Sequence, residues 1–128
     1  MIGLVVVSHS AKAAEGIREI AGQMGGGAAR IEVAGGDVDG GIGTDPNAIR
    51  EALEAADDGD GVAVLVDLGS AVMNAELAFE MTDVEARIAD APVLEGALNA
   101  AVESTSEKAT LDSVVSAAEE ARDYHKVD

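Results

Sequence analysis

Two stretches of this chain contain nothing polar: Ile2-Gly3-Leu4-Val5-Val6-Val7 and Val62-Ala63-Val64-Leu65-Val66. Short runs this rich in branched aliphatic residues read as strands buried on both faces, the condition of central strands in a parallel sheet. Two other segments alternate. Ala29, Ile31 and Val33 are interleaved with Arg30 and Glu32, and Val84, Ala86 and Ile88 with Glu85 and Arg87. Strands Ala29–Val33 and Val84–Ala89 are therefore expected to keep one face wet, at the sheet edges.

Helical spacing fills the gaps. Ser10 can cap a helix whose apolar positions are Ala14, Ile17, Ala21 and Met24, stopped by Gly25-Gly26-Gly27. Asp45-Pro46 opens a second helix, with proline at its first position and Ile49, Leu53 and Ala56 as its buried stripe. Asp67-Leu68-Gly69-Ser70 leads into a third, running to about Met81, with Met73, Leu77 and Met81 expected in the core. Leu94, Leu98 and Ala101 mark a fourth helix. Leu111, Val114, Val115 and Ala118 mark a fifth, with Thr110 as its cap. Strand alternating with helix is the α/β pattern. Right-handed crossovers then give an open, mainly parallel four-stranded sheet in the order 2-1-3-4, with helices on both faces. Room for an extra antiparallel strand stays open. The 128 residues suit a single domain, 1–128.

In that topology the winding reverses between the first and third strands, and ligands of open α/β folds collect at the carboxyl ends flanking such a reversal. His9 leaves the first of those ends and Asp67 the other. A neutral imidazole is a nucleophile near pH 7 and can take a phosphoryl group on one ring nitrogen while a carboxylate orients the other. Asp67 is the expected orienter. The helix start at Ser10 would offer unpaired N–H groups to phosphate. Gly35, Gly36, Gly69 and Ser70 would let more backbone approach it. A lone histidine at a strand end also serves simply as a hydrogen-bonding residue, and the residues alone leave both readings open. His125, the only other histidine, lies near the terminus.

Other chemistries find little support. The Gly35–Asp45 loop lacks the Gly-Lys-Ser/Thr ending of a P-loop, and Gly41-Ile42-Gly43 does not follow a strand as a dinucleotide fingerprint would. Asp37, Asp39 and Asp45 lack the spacing of a calcium loop, so no metal or cofactor is expected. No Gly-x-Ser-x-Gly elbow is present. The chain has no cysteine, which excludes disulfides and thiolate chemistry.

With 25 acidic against 8 basic residues the formal charge is −17, which disfavours nucleic-acid and anionic-membrane partners. The 48% hydrophobic content argues against disorder. The acidic excess suggests a halophilic source, where salt shortens the Debye length to roughly 3 Å at 1 M. The N-terminus lacks the basic flank of a signal peptide, and its apolar run is too short to span a bilayer. A soluble, cytoplasmic protein without membrane insertion is expected.

Val7-Ser8-His9-Ser10 with Ala14 and Gly16, then Gly35-Gly36, Asp39-Gly40 and Ile42-Gly43-Thr44, then Asp67-Leu68-Gly69-Ser70-Ala71 with Met73-Asn74 and Glu76, and finally Ala91-Pro92 through Glu95-Gly96-Ala97, form an ordered series over nearly the whole chain. The series resembles the phosphotransferase subunits of dihydroxyacetone kinase, the DhaM family. These belong with the mannose-type enzyme IIA domains of the phosphoenolpyruvate-dependent phosphotransferase system. The resemblance implies a homodimeric α/β phosphocarrier in which His9 accepts phosphate from phospho-HPr. It implies transfer to ADP on the ADP-binding subunit of the kinase, with Asp67 as the carboxylate beside the histidine. Some members carry HPr-like and enzyme I-like domains after this one. This sequence ends at Asp128 without them, so a separate carrier is the expected donor. A IIA domain of a mannose-type sugar transporter is the alternative, ranked second because those domains usually show a Gly-Gly-Ser-Pro-like stretch where Leu68-Gly69-Ser70-Ala71 stands here. A third reading is a non-enzymatic module that binds a small anion or a partner at the same crevice.

Overall fold

The computed structural model describes residues 1–25 and 27–128. Gly26, the middle of the expected glycine stop, lies outside the described residues. Strands β1 (Gly3–Ser8), β2 (Ile31–Gly35), β3 (Val62–Val66) and β4 (Ala86–Ile88) alternate with helices α1 (Ala11–Met24), α2 (Pro46–Ala56) and α3 (Ser70–Glu80). Helices α4 (Val93–Ser104) and α5 (Leu111–Glu119) follow, and the 3-10 turn Glu120–Asp123 closes the order. The strands form one sheet in the order β2-β1-β3-β4. Every pairing is parallel, with Val7 opposite both Ala34 and Val66. The order, the direction and the central place of the two apolar strands are as the sequence implies. Among the described residues the sheet has these four strands and no antiparallel fifth.

Side chains alternate across the sheet and build two cores. Leu4, Val6, Ala63 and Leu65 pack with Ala21 of α1, Ala97, Ala100 and Ala101 of α4, and Val114 and Val115 of α5. Val5, Val7, Val62 and Val64 pack with Ile49 and Leu53 of α2 and Ala71, Ala75 and Ala78 of α3. The crossover helices α1 and α2 thus lie on opposite faces, and this opens the crevice between the ends of β1 and β3.

Local chemistry sets the helix starts. Ser10 caps α1 by accepting from the Ala13 N–H at 3.2 Å. Asp45 caps α2, which has Pro46 in its first turn. Thr110 and Ser113 cap α5 reciprocally.

Several details differ from expectation. The first strand is displaced by one residue and the second by two, to Gly3–Ser8 and Ile31–Gly35, because a period of two fixes which residues share a face but not where pairing begins. β4 shortens to three residues. The expected core stripe of α3 is outside: Met73 is 77% exposed, with Leu77 and Met81 also exposed. Ala71, Ala75 and Ala78 face the sheet instead, also at helical spacing. Met24 at the end of α1 is likewise exposed, and Leu94 and Leu98 are half-buried while Gly96, Ala97, Ala100 and Ala101 take the inner face of α4.

Ion pairs such as Arg50–Glu54, Arg87–Asp112, Arg122–Asp90 and Lys126–Glu95 involve few of the 25 acidic residues. Raising salt from about 0.1 M to about 1 M cuts the Debye length from roughly 10 Å to roughly 3 Å and relieves the remaining repulsion. The thermal midpoint is therefore expected to rise over that range. An equal midpoint at both concentrations would remove the expectation of a salt-adapted chain.

Candidate functional site

β1 ends at Ser8 and β3 at Val66, so His9 and Asp67 leave the sheet side by side, with the Asp67 N–H donating to Val7 O at 3.1 Å. The Nδ1 of His9 lies 3.0 Å from Oδ1 of Asp67. The other carboxylate oxygen, Oδ2, accepts from the His9 backbone N–H at 3.0 Å and from the Ser8 hydroxyl at 2.9 Å. Both Asp67 oxygens are thereby committed to β1 and the residue that follows it. On the far side of the ring, Nε2 lies 2.9 Å from the Ser70 hydroxyl at the start of α3. The His9 and Asp67 side chains each keep 21% of their surface exposed, so the ring is fixed yet reachable.

Burial alone would push the Asp67 carboxyl up. Hydrogen bonds from the His9 N–H, the His9 ring and the Ser8 hydroxyl outweigh it and hold the group below the usual carboxylate range. An ionised Asp67 calls for a proton on Nδ1 and leaves the Nε2 lone pair as the reactive one. Because the folded value is depressed, the stabilisation is present above the unfolded value of about 3.9 and is lost as pH falls through the folded value. Asp67→Asn is expected to flatten this acid-side loss in thermal midpoint measured against pH. It is also expected to slow any transfer through His9 by roughly 10- to 100-fold, the effect of a hydrogen bond to a charged group. Parallel pH curves and an unchanged transfer rate would remove Asp67 from the mechanism.

The remaining residues singled out in the sequence hold the backbone around this pair. The Ser10 hydroxyl is engaged as the α1 cap, and the Ser10 N–H donates to the Ser8 hydroxyl oxygen at 3.1 Å. Gly35 pairs with Ser8 across the sheet. A Cβ there would lie 2.7 Å from Cα of Ala11 and 2.8 Å from Ser10 O, so only glycine lets α1 start this close to β2. Gly36, at φ +84°, donates its N–H to Ser8 O at 3.2 Å. Gly69 is exposed at the entry to α3. The structure thus brings His9, Asp67 and Ser70 into direct contact, places Ser10, Gly35 and Gly36 behind them, and leaves Gly69 at the rim.

Sequence reasoning quoted Ser8, Thr44 and Asn74 within the family-like series but gave none of them a role at the site. The Asn74 side-chain amide donates to Thr44 Oγ1 at 2.6 Å, and the Gly43 N–H donates to His9 O at 2.9 Å, so the glycine-rich loop is tied both to α3 and to the histidine. Asp37 turns that loop, its Oδ1 accepting from the Asp39 and Gly41 N–H groups. Among the described residues no group of three or more histidine, aspartate or glutamate side chains is placed to hold a metal. A surface cavity of about 600 Å³, lined by Arg18, Glu19, Gln23 and Ile31, lies at the opposite end of β2 from His9. No helix is long and apolar enough to cross a membrane among the described residues.

The geometry has relatives. The family model EIIA-man, described as PTS system fructose IIA component, matches residues 3–115. The chain is 44% identical over 125 residues to the PEP-dependent dihydroxyacetone kinase, phosphoryl donor subunit DhaM, of Pantoea ananatis, covering 92% of this chain and 26% of that protein. It is 39% identical over 108 residues to the PEP-dependent dihydroxyacetone kinase 2, phosphoryl donor subunit DhaM, of Listeria innocua, covering 81% of this chain and 86% of that protein. The crystal structure of a protein of unknown function, EF1359, matches with a TM-score of 0.82 at 32% identity, over 98% of this chain and 97% of that one. The chain spans only 26% to 28% of the length of several curated relatives it matches. With a family model over most of its length and DhaM relatives at 34% to 44% identity, the chain belongs to the EIIA-man family, among its DhaM-type members.

Proposed function

We propose that this chain is a phosphohistidine carrier, a phosphotransferase subunit that takes phosphate from phospho-HPr on Nε2 of His9. It passes the group to ADP held on the ADP-binding subunit of a dihydroxyacetone kinase, in support of dihydroxyacetone phosphorylation. The observation that carries the reading is the ring's orientation: Nδ1 is held by Asp67 while Nε2 meets only a rotatable hydroxyl at a partly open surface.

In the first step the Nε2 lone pair attacks phosphorus. The new N–P bond forms as the bond to the donor's imidazole breaks, and the electron pair leaves with that imidazole. The His9 ring gains positive charge, which ionised Asp67 stabilises through Nδ1–H. In the second step a terminal oxygen of ADP attacks, the Nε2–P bond breaks, and its pair returns to the ring. Positioning and fixed hydrogen-bond donors supply most of the catalysis in such transfers. The Ser70 hydroxyl is the donor at the ring, and the helix start capped by Ser10 follows His9 directly and offers further N–H groups. Gly35 and Gly36 shape the phosphate-binding surface from behind, by letting the start of α1 and the glycine-rich loop pack close to β1 and β2, and Gly69 leaves its rim free of a side chain.

Val38, Ile42, Leu68 and Met73 are 57% to 77% exposed, and three of them adjoin residues tied to the site. Such an apolar rim suits a protein partner. The DhaM relatives, known as phosphoryl donor subunits, support the same reading. A single carrier domain over residues 1–128, working as a cytoplasmic homodimer and adapted to salt, belongs to this proposal.

The family description, a fructose IIA component, favours one second reading: a IIA domain serving a sugar transporter of the mannose type. Incubation with phosphoenolpyruvate, enzyme I and HPr separates the outcomes. The expected product is an acid-labile, base-stable phosphate on Nε2 that is discharged when the kinase subunits, ADP and dihydroxyacetone are added. Discharge only to a transporter IIB domain would establish the second reading. No uptake of phosphate would overturn both.

A further inference from the structure

Ser8 is the polar last residue of a strand that is otherwise apolar, and it is 1% exposed. A serine hydroxyl has one proton to donate and lone pairs to accept with. The Ser10 N–H can only donate, so Ser8 must accept from it, at 3.1 Å. The single Ser8 proton therefore goes to Oδ2 of Asp67, at 2.9 Å. The direction of the relay is fixed without ambiguity: Ser10 N–H to Ser8 Oγ, Ser8 O–H to Asp67 Oδ2. It begins at the cap of α1, the positive end of the helix dipole, and each bond in such a chain polarises the next.

We propose that Ser8 is a positioning residue for phosphoryl transfer, its buried hydroxyl fixing the Asp67 carboxylate so that Oδ1 keeps the proton on Nδ1 of His9 and the lone pair on Nε2. The inference rests on the carrier reading and deepens it. Without that hold the plane of the Asp67 carboxylate could swing about its Cβ–Cγ bond and tip Oδ1 out of line with the ring. With Oδ2 held by both the Ser8 hydroxyl and the His9 N–H, one orientation remains. Two donors on Oδ2 also make the carboxylate a weaker base. The ring proton then stays on Nδ1 when phosphate occupies Nε2, and a ring that keeps its proton is the better leaving group in the second step.

The test compares Ser8→Thr with Ser8→Val, which add the same volume and differ by one hydroxyl. Histidine nitrogen NMR on the free chain reads the tautomer directly. Wild type and Ser8→Thr are expected to show the Nδ1–H form, and Ser8→Val a mixture of the two. Phosphate transfer through Ser8→Val is expected to slow about tenfold, a loss in kcat with KM for phospho-HPr unchanged. Ser8→Ala, which adds no atom, repeats the comparison if the extra methyl perturbs folding. Equal tautomer populations and equal rates in the hydroxyl-bearing and hydroxyl-free variants would overturn the assignment and reduce Ser8 to packing. Because the tautomer is read without any phosphate donor, it answers for Ser8 even where the carrier reading itself fails.

Discussion

A chain carrying His9→Ala is expected to take up no phosphate from phospho-HPr and to remain folded. The ring contributes two hydrogen bonds, one to Asp67 and one to Ser70. Asp67 keeps its other two donors after the substitution, because the backbone N–H of residue 9 and the Ser8 hydroxyl are untouched. The side chain is partly exposed, so water replaces what the ring provided. The loss of stability is expected to stay within about 3 kcal/mol, the upper value of a hydrogen bond to a charged group. Circular dichroism and a thermal melt check the fold, and radiolabelled phosphoenolpyruvate with enzyme I and HPr checks uptake. His125→Ala is the control: that residue is exposed near the terminus and its removal should leave labelling intact. Undiminished labelling of the His9 variant, or its loss in the His125 variant, would move the carrier role off His9.

Gly35→Val is expected to lower both stability and transfer. A Cβ at this position meets backbone, not flexible side chain: Cα of Ala11 at 2.7 Å and the Ser10 carbonyl oxygen at 2.8 Å. The start of α1 has to move away from β2, and overpacking of that kind costs about 1–3 kcal/mol. Ser10 and His9 move with it, so the ring loses its alignment with Asp67 and Ser70. Gly69→Ala is the contrast. Its backbone is helical at φ −56°, and a Cβ there meets nothing within 4 Å. That variant should melt at or above the wild-type midpoint. The pair separates two roles for a glycine beside the proposed phosphate site. If Gly35 mattered only for its approach to phosphate, Gly35→Val would melt like the parent in phosphate-free buffer, and the packing argument would be wrong.

The architecture was legible because the two central strands advertise their burial. Val5, Val6, Val7, Val64 and Leu65 have no polar neighbour to alternate with, and strand order followed from that fact and crossover handedness. The meeting of His9 and Asp67, 58 residues apart, followed from the same order. What stayed hidden depended on choices the pattern leaves degenerate. On α3 an alanine stripe and a methionine-leucine stripe both keep helical spacing, and size pointed to the wrong one. The small stripe lies inward because Ala71, Ala75 and Ala78 let the helix sit close to β1 and β3. Ser8 was hidden for a related reason. Placed one residue beyond an apolar run it looks like the start of a turn, and only its pairing with Gly35 puts it in the sheet, its hydroxyl toward Asp67. Thr44 and Asn74 stand in the family-like series, but nothing local says that they meet, since their contact joins a loop to a helix 30 residues away.

The placement of β1 between β2 and β3 has a consequence for how the chain matures. A folding intermediate holding only β1, α1 and β2 would already contain His9, but with no acidic partner and no hydroxyl at its far nitrogen. Both come from β3 and the turn into α3, through a long-range pairing with β1. The imidazole is therefore oriented only in chains whose central sheet has closed. The orientation of the proposed carrier histidine is thus a property of the closed sheet and not of the strand that bears it.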